Sequence, residues 1–214
     1  MADWFRKRSW EADDQRDFED RLAKAPTDAR AQYLRLQALE LGESRPAEAL
    51  RLLDRALGDW PDHFETAATL GQRGDCLMAL GDYENAVESY ALAVKRMRSY
   101  PGVQTQAWLS CVLAIAERGD RSRFRLAHQI LREFGAKLDQ PLIRLRAAAA
   151  AALIARAEGR AEDGRDQART ALEAASLLRG RKVALAADDR ALVRRIRAIA
   201  EPRLWRRWLL LGLS

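Results

Sequence analysis

A chain of 214 residues with 48% apolar and 32% charged side chains, 6 prolines and 12 glycines has the balance of a folded domain and excludes a disordered one. The formal charge of +6 is unevenly spread: residues 179–214 carry 10 Lys or Arg against 3 Asp or Glu, a net +7, which leaves −1 for residues 1–178. Ala, Leu, Arg and Glu dominate while β-branched residues are scarce, a bias that favours helix because unbranched side chains lose little freedom there.

In chain order, the first ten residues carry Asp3, Arg6, Lys7 and Arg8 with no apolar core behind them, so no secretory signal is expected. Apolar spacing and punctuation then predict helices over 10–24, 28–41, 46–58, 64–80, 83–99, 103–118, 122–134, 141–158, 161–178 and 184–200, with no strand. Every proline (26, 46, 61, 101, 141 and 202) falls where a helix would start or stop. Glycines at 42, 58, 81, 102, 119, 135, 159 and 180 follow apolar-periodic segments, where a left-handed cap favours a residue without Cβ. The last apolar run, Trp208 to Leu211, is too short to cross a bilayer, and a soluble, cytoplasmic protein is expected. The excess of Arg over Lys, 32 to 5, points to a GC-rich bacterial genome.

The regularity that organises these helices is the turn at Leu41-Gly42, Leu80-Gly81-Asp82, Arg118-Gly119-Asp120 and Glu158-Gly159-Arg160. Glycine positions 42, 81, 119 and 159 are separated by 39, 38 and 40 residues, as if one helix-turn-helix unit were used four times. One such pair cannot bury its apolar face alone, so neighbours must stack.

The second unit resembles the tetratricopeptide repeat. Gly74 stands at the small position where the two helices cross, flanked by Leu70 and Leu77; Leu80-Gly81-Asp82-Tyr83 forms the turn, and Ala86, Tyr90 and Ala93 form the packing face of the second helix. The first unit keeps Ala49, Leu53, Ala56 and Pro61 but has Arg35 at the small position. The third needs a shift of about one turn to place Ala127, Leu131 and Phe134, and the fourth, with Ala147 to Ala152 facing Ala168, Leu172 and Ala175, reads as degenerate. The implied fold class is all-α, an α-α superhelix (solenoid) of about four tetratricopeptide-like pairs. The expected divisions are an N-terminal capping helix at 1–27 containing Trp4, Phe5, Trp10, Phe18 and Leu22, the repeat array at 28–178, and a basic capping helix with an Arg/Trp tail at 179–214.

No catalytic or cofactor-binding constellation is legible. His63 and His128 lack partners at metal-ligand spacing, and Gly71-x2-Gly74 lies inside a helix, where it cannot cradle a phosphate. Cys76 and Cys111, in apolar helical contexts, read as buried free thiols. The chain is therefore expected to be no enzyme, to need no metal and no cofactor, and to act as a scaffold or adaptor.

The resemblance implies that the first helices of successive pairs line a groove for a partner protein or peptide. Its candidate residues are Gln32, Leu36, Leu39 and Glu40, then Asp75 and Met78, then Leu109, Leu113 and Glu117, then Arg146 and Arg156. Family members that clamp a C-terminal carboxylate use Lys and Asn there; Leu36, Asp75, Leu113 and Leu153 at the Asn place do not support that mode here. A separate reading rests on the basic end. Arg194 and Arg195 lie on an amphipathic helix, and Arg203, Trp205, Arg206, Arg207 and Trp208 continue the theme, so this segment either seals the last pair or contacts an anionic membrane or nucleic acid. A dedicated inhibitor of one target protein is a third reading, and self-association through apolar tails a further one.

Overall fold

The computed structural model describes residues 3–135 and 138–201. Among them are ten α-helices and no strand. They are α1 (Ala12–Lys24), α2 (Thr27–Leu41), α3 (Pro46–Asp59), α4 (Thr66–Ala79), α5 (Tyr83–Ser99), α6 (Ala107–Arg118), α7 (Phe124–Phe134), α8 (Pro141–Ala157), α9 (Ala161–Gly180) and α10 (Ala187–Ala200). The chain divides into two compact units, Met1–Cys111 and Val112–Ser214. Neighbouring helices pack in chain order: α2 on α3, α3 on α4 and α4 on α5 in the first unit, and α7 on α8, α8 on α9 and α9 on α10 in the second. This is the all-α, tetratricopeptide-like pattern of stacked hairpins.

Three of the four expected turns share one mechanism. Gly81, Gly119 and Gly159 have φ of +81°, +70° and +82°, the left-handed region open to glycine at little cost. In the first of them, the amide of Asp82 donates to the Leu77 carbonyl at 2.9 Å, and the Asp82 carboxylate in turn accepts from the Asn85 amide at the start of α5. A single Gly-Asp pair thus closes one helix and opens the next.

Gly42 departs from this scheme. Its backbone is right-handed helical, and the chain reverses instead through Ser44 and Arg45, whose amides both donate to the Leu41 carbonyl. Counting from Gly42 therefore misplaces α2 by nearly a turn. The apolar steps at Ala31, Leu34, Ala38 and Leu41 repeat those at Ala67, Leu70, Gly74 and Leu77, so the small crossing residue of the first pair is Ala38, buried at 1%, and not Arg35.

The fourth pair packs through small residues, as its alanines suggested. Leu145, Ala148, Ala152 and Ala155 of α8 follow the same steps, and Gly164, Ala168 and Ala171 of α9 occupy the places of Ala86, Tyr90 and Ala93. All seven are buried, so two small surfaces meet where a large residue met glycine in the second pair. The slip in the third pair has a local cause, a single turn of 3-10 helix at Arg121–Arg123 ahead of α7. That turn brings Phe124, Ala127 and Ile130 into the core and leaves Leu131 and Phe134 only half-buried.

At the N-terminal end Phe18 and Leu22 of α1 enter a core with Leu34, Ala38, Leu41 and Leu53. Trp4, Phe5 and Trp10 precede α1 and are not helical, contrary to the expectation for this segment. They join the same core from irregular chain: Phe5 stacks on Tyr33 at 4.7 Å, Trp4 lies 5.0 Å from the same ring, and Trp10 meets Phe18 at 5.3 Å. The buried side chain of Gln37 pins this segment by bonding both the amide (3.0 Å) and the carbonyl (2.7 Å) of Lys7.

At the C-terminal end Leu192, Val193, Ile196 and Ile199 of α10 are buried against α8 and α9. Its apolar stripe is thus spent inside the protein, leaving Arg190, Arg194, Arg195 and Arg197 exposed. The tail residues Arg203, Trp205, Arg206, Arg207 and Trp208 lie outside the described residues. Among the described residues no helix is long and apolar enough to cross a membrane.

Candidate protein-binding face

In the first unit a polar seam joins α2 to α4. Glu65, 8% exposed at the head of α4, pairs with Arg35 and accepts from the Gln32 amide at 3.2 Å, while the Arg35 guanidinium and carbonyl meet the side-chain amide of Gln72. This explains why an arginine is tolerated at 35: it reaches sideways to the next pair and not into its own. The seam fixes which stripes of the two helices lie together, since Leu39 is one turn beyond Arg35, and Asp75 and Met78 follow Gln72 at steps of three.

Leu39 is 52% exposed and Met78 38% exposed, an apolar surface that the core leaves free. Leu36 is half-buried. Glu40 is held at 3.9 Å from both Arg6 and Arg8, so the N-terminal segment screens that end of α2. The Asp75 carboxylate accepts from the Tyr90 hydroxyl at 2.7 Å. Burial raises its pKa, and the Tyr90 bond opposes that rise. Ala68, Gln72 and Asp75 of α4 and Thr105, Gln106 and Ser110 line a depression of about 170 Å³. Phe64, 59% exposed, and Leu80, 46% exposed, are further exposed apolar side chains of the first unit that were not singled out from the sequence. Phe64 lies in the turn after Pro61, where exposure of an aromatic leaves no periodic signal.

Leu109, expected to line the groove, is 1% exposed and belongs to the core. Three further candidates in the second unit lie beside α10. Arg146 grips the buried Asp189 of α10 through two bonds of 2.7 and 2.9 Å, Leu113 packs against the core that α10 completes, and Glu117 lies 3.9 Å from Arg195. Burial also pushes the Glu117 carboxyl up, with Arg195 pulling it back. Helix α10 thus lies against part of the stripe that the family resemblance assigned to a ligand. Arg156 is exposed and has no ion pair among the described residues.

The histidines make ordinary structural contacts. His63 accepts from the Glu65 amide and meets the Asp28 carbonyl, and His128 meets Glu158 at 2.9 Å. Cys76 and Cys111 are free and buried. Among the described residues no three His, Cys, Asp or Glu side chains are grouped to hold a metal.

Hairpins closed by left-handed glycines, packed small against large and leaving a mixed apolar and polar stripe uncovered, define a helical-repeat protein. Residues 40–105, spanning α3 to α5, match the tetratricopeptide repeat, so this stretch of the chain is tetratricopeptide-like. Such repeats generally mediate protein–protein interaction. No curated protein and no solved structure matches the chain.

Proposed function

We propose that the chain is a non-catalytic cytoplasmic adaptor that binds a segment of a partner protein on the α2–α4 face of its first unit. The observation that carries this reading is the pair of exposed apolar side chains, Leu39 and Met78, set beside the Arg35–Glu65–Gln72 seam. An apolar anchor with polar groups at its rim is the arrangement that binds a helix or extended peptide, because apolar burial supplies affinity and the rim fixes register. Whether the adaptor serves several partners or restrains one target is a matter of which segment it meets, and the same face serves both.

Crosslinking in the native host, with the captured protein identified and then tested purified, checks the reading. Leu39→Arg and Met78→Arg should each weaken binding of that protein at least about tenfold, the usual effect of placing a charge in an apolar anchor site. Equal binding by both variants removes this face from consideration. Surface attachment through the basic end is less favoured, because the apolar face of α10 is already occupied.

A further inference from the structure

A different surface lies wholly within the second unit. Between α7 on one side and α8 and α9 on the other runs a cleft of about 890 Å³, floored by Ala147, Ala148, Ala151 and Ala155. A second hollow of about 530 Å³ adjoins it and shares His128 and Arg132. Arg121, Arg125, His128 and Arg132, spaced four, three and four residues apart, form one basic stripe along its wall.

The charges of this cleft do not cancel internally. Among the lining acids, Glu158 is taken by His128 and Arg160, Asp163 by Arg160 at 2.6 Å, and Asp166 by Arg169 at 2.7 Å. Arg121 donates to the Ala157 carbonyl. The guanidinium groups of Arg125, Arg132 and Arg144 make no hydrogen bond or ion pair with any described residue, and the Arg144 Nε is shut off from solvent without a partner. Asp139 is the lining acid left to set against these three guanidiniums. For the half-buried Arg144 this is costly unless an anion meets it, while the exposed Arg125 and Arg132 stand free to pair with the same ligand.

We infer that this cleft binds an acidic segment of a partner protein, its carboxylates meeting Arg125, Arg132 and Arg144 and its backbone lying on the alanine floor. The floor argues for a peptide, since side chains no larger than methyl let another backbone approach closely. The engaged carboxylates of Glu158, Asp163 and Asp166 argue against a continuous polyphosphate, which would pass within reach of them, whereas a peptide can space its charges to match. The local excess of arginine is also not a by-product of overall basicity, because residues 1–178 sum to −1.

The test is fluorescence anisotropy with the full chain and a labelled peptide alternating Glu and Ala, beside a Gln-Ala peptide, a labelled single-stranded oligonucleotide and phosphatidylserine vesicles. The Glu-Ala peptide should bind, with affinity falling as salt rises. The double variant Arg125→Glu/Arg132→Glu should lose at least about tenfold in affinity, while Arg194→Glu on α10 stays within about twofold of the parent. Both wall arginines are exposed, so folding should survive; if the double reversal does not fold, Arg125→Gln/Arg132→Gln gives the same comparison. No binding of the Glu-Ala peptide, equal binding of the Gln-Ala peptide, or unchanged affinity in the double variant overturns the inference. Binding of oligonucleotide or vesicles in preference to peptide, lost in the same variant, overturns it in favour of another polyanion.

Discussion

A Cβ added at Gly74 would fall 2.4 Å from Cε1 of Tyr90, a distance that no relaxed pair of carbon atoms tolerates. The ring is 3% exposed and its hydroxyl is tied to Asp75, so it cannot swing aside freely. Gly74→Ala should therefore destabilise the first unit by about 2–3 kcal/mol, the upper part of the usual cost of overpacking a core. Adding Tyr90→Leu, which copies the Leu53 of the preceding pair, should recover part of that loss in a denaturant titration. Asp75 itself yields a pH prediction. Burial raises its folded-state pKa above the ordinary 3.8, and a raised carboxyl gives stability that is complete below pH 3.8 and lost as pH rises through the folded value. Because Asp75 is exposed, solvent screens this effect, and at neutral pH the ionised group costs only a little. Asp75→Asn, which keeps an acceptor for Tyr90, should raise the unfolding midpoint at neutral pH, and the gain should vanish below pH 3.8. Its neighbour Cys76 has its thiol pushed up to about 11 by burial and by the carboxylates of Asp75 and Asp54. A thiol reagent at neutral pH should accordingly leave it unmodified in the folded protein and react only on unfolding.

At the scale of the helix pair, the turn glycines divide by backbone and not by spacing. Gly81→Ala and Gly159→Ala force a Cβ into the left-handed region and should each cost about 1–2 kcal/mol. Gly42→Ala, where the backbone is right-handed and the nearest atom to the new Cβ is the Ala38 carbonyl oxygen at 3.4 Å, should be neutral or gain up to about 1 kcal/mol. Thermal unfolding of the three variants gives the order directly. The contrast shows what was readable beforehand. Helix number and order were legible because proline and glycine stop helices through local sterics, which need no knowledge of partners. The register of α2 was not, because a left-handed and a right-handed glycine are the same letter, and the true marker was the step from Ala31 through Leu41. In the fourth pair the facing alanines were legible, because small residues on both helices, such as Ala152 and Ala168, let the two approach closely. Candidate binding residues suffered most. Their assignment assumed that every first-helix stripe stays open, and neither the polar grip of Arg146 on Asp189 nor the splay that opens the α7–α8 cleft has a sequence period.

Over the whole molecule the uneven charge acquires a structural meaning through α10. Its sequence alone fits a helix laid on an anionic surface, with Arg190, Arg194 and Arg197 on one side and Leu192, Val193, Ile196 and Ile199 on the other. A surface helix keeps its apolar stripe available until the surface arrives. Here that stripe completes a core with Leu145, Ala149, Ala168 and Ala175, and Asp189, 4% exposed, is locked to Arg146. The two roles make opposite demands on Ile196, which is fully buried. If α10 is a structural cap, Ile196→Ala removes three methyl-sized groups from a packed interior and should destabilise the second unit by about 2–4 kcal/mol with no lipid or nucleic acid present. Arg194→Ala, on the exposed side, should change stability by less than about 0.5 kcal/mol. Chemical denaturation of the purified chain distinguishes the cases: a large loss for Ile196 beside a negligible one for Arg194 assigns α10 to the fold, whereas equal, small effects return it to the role of a free basic helix.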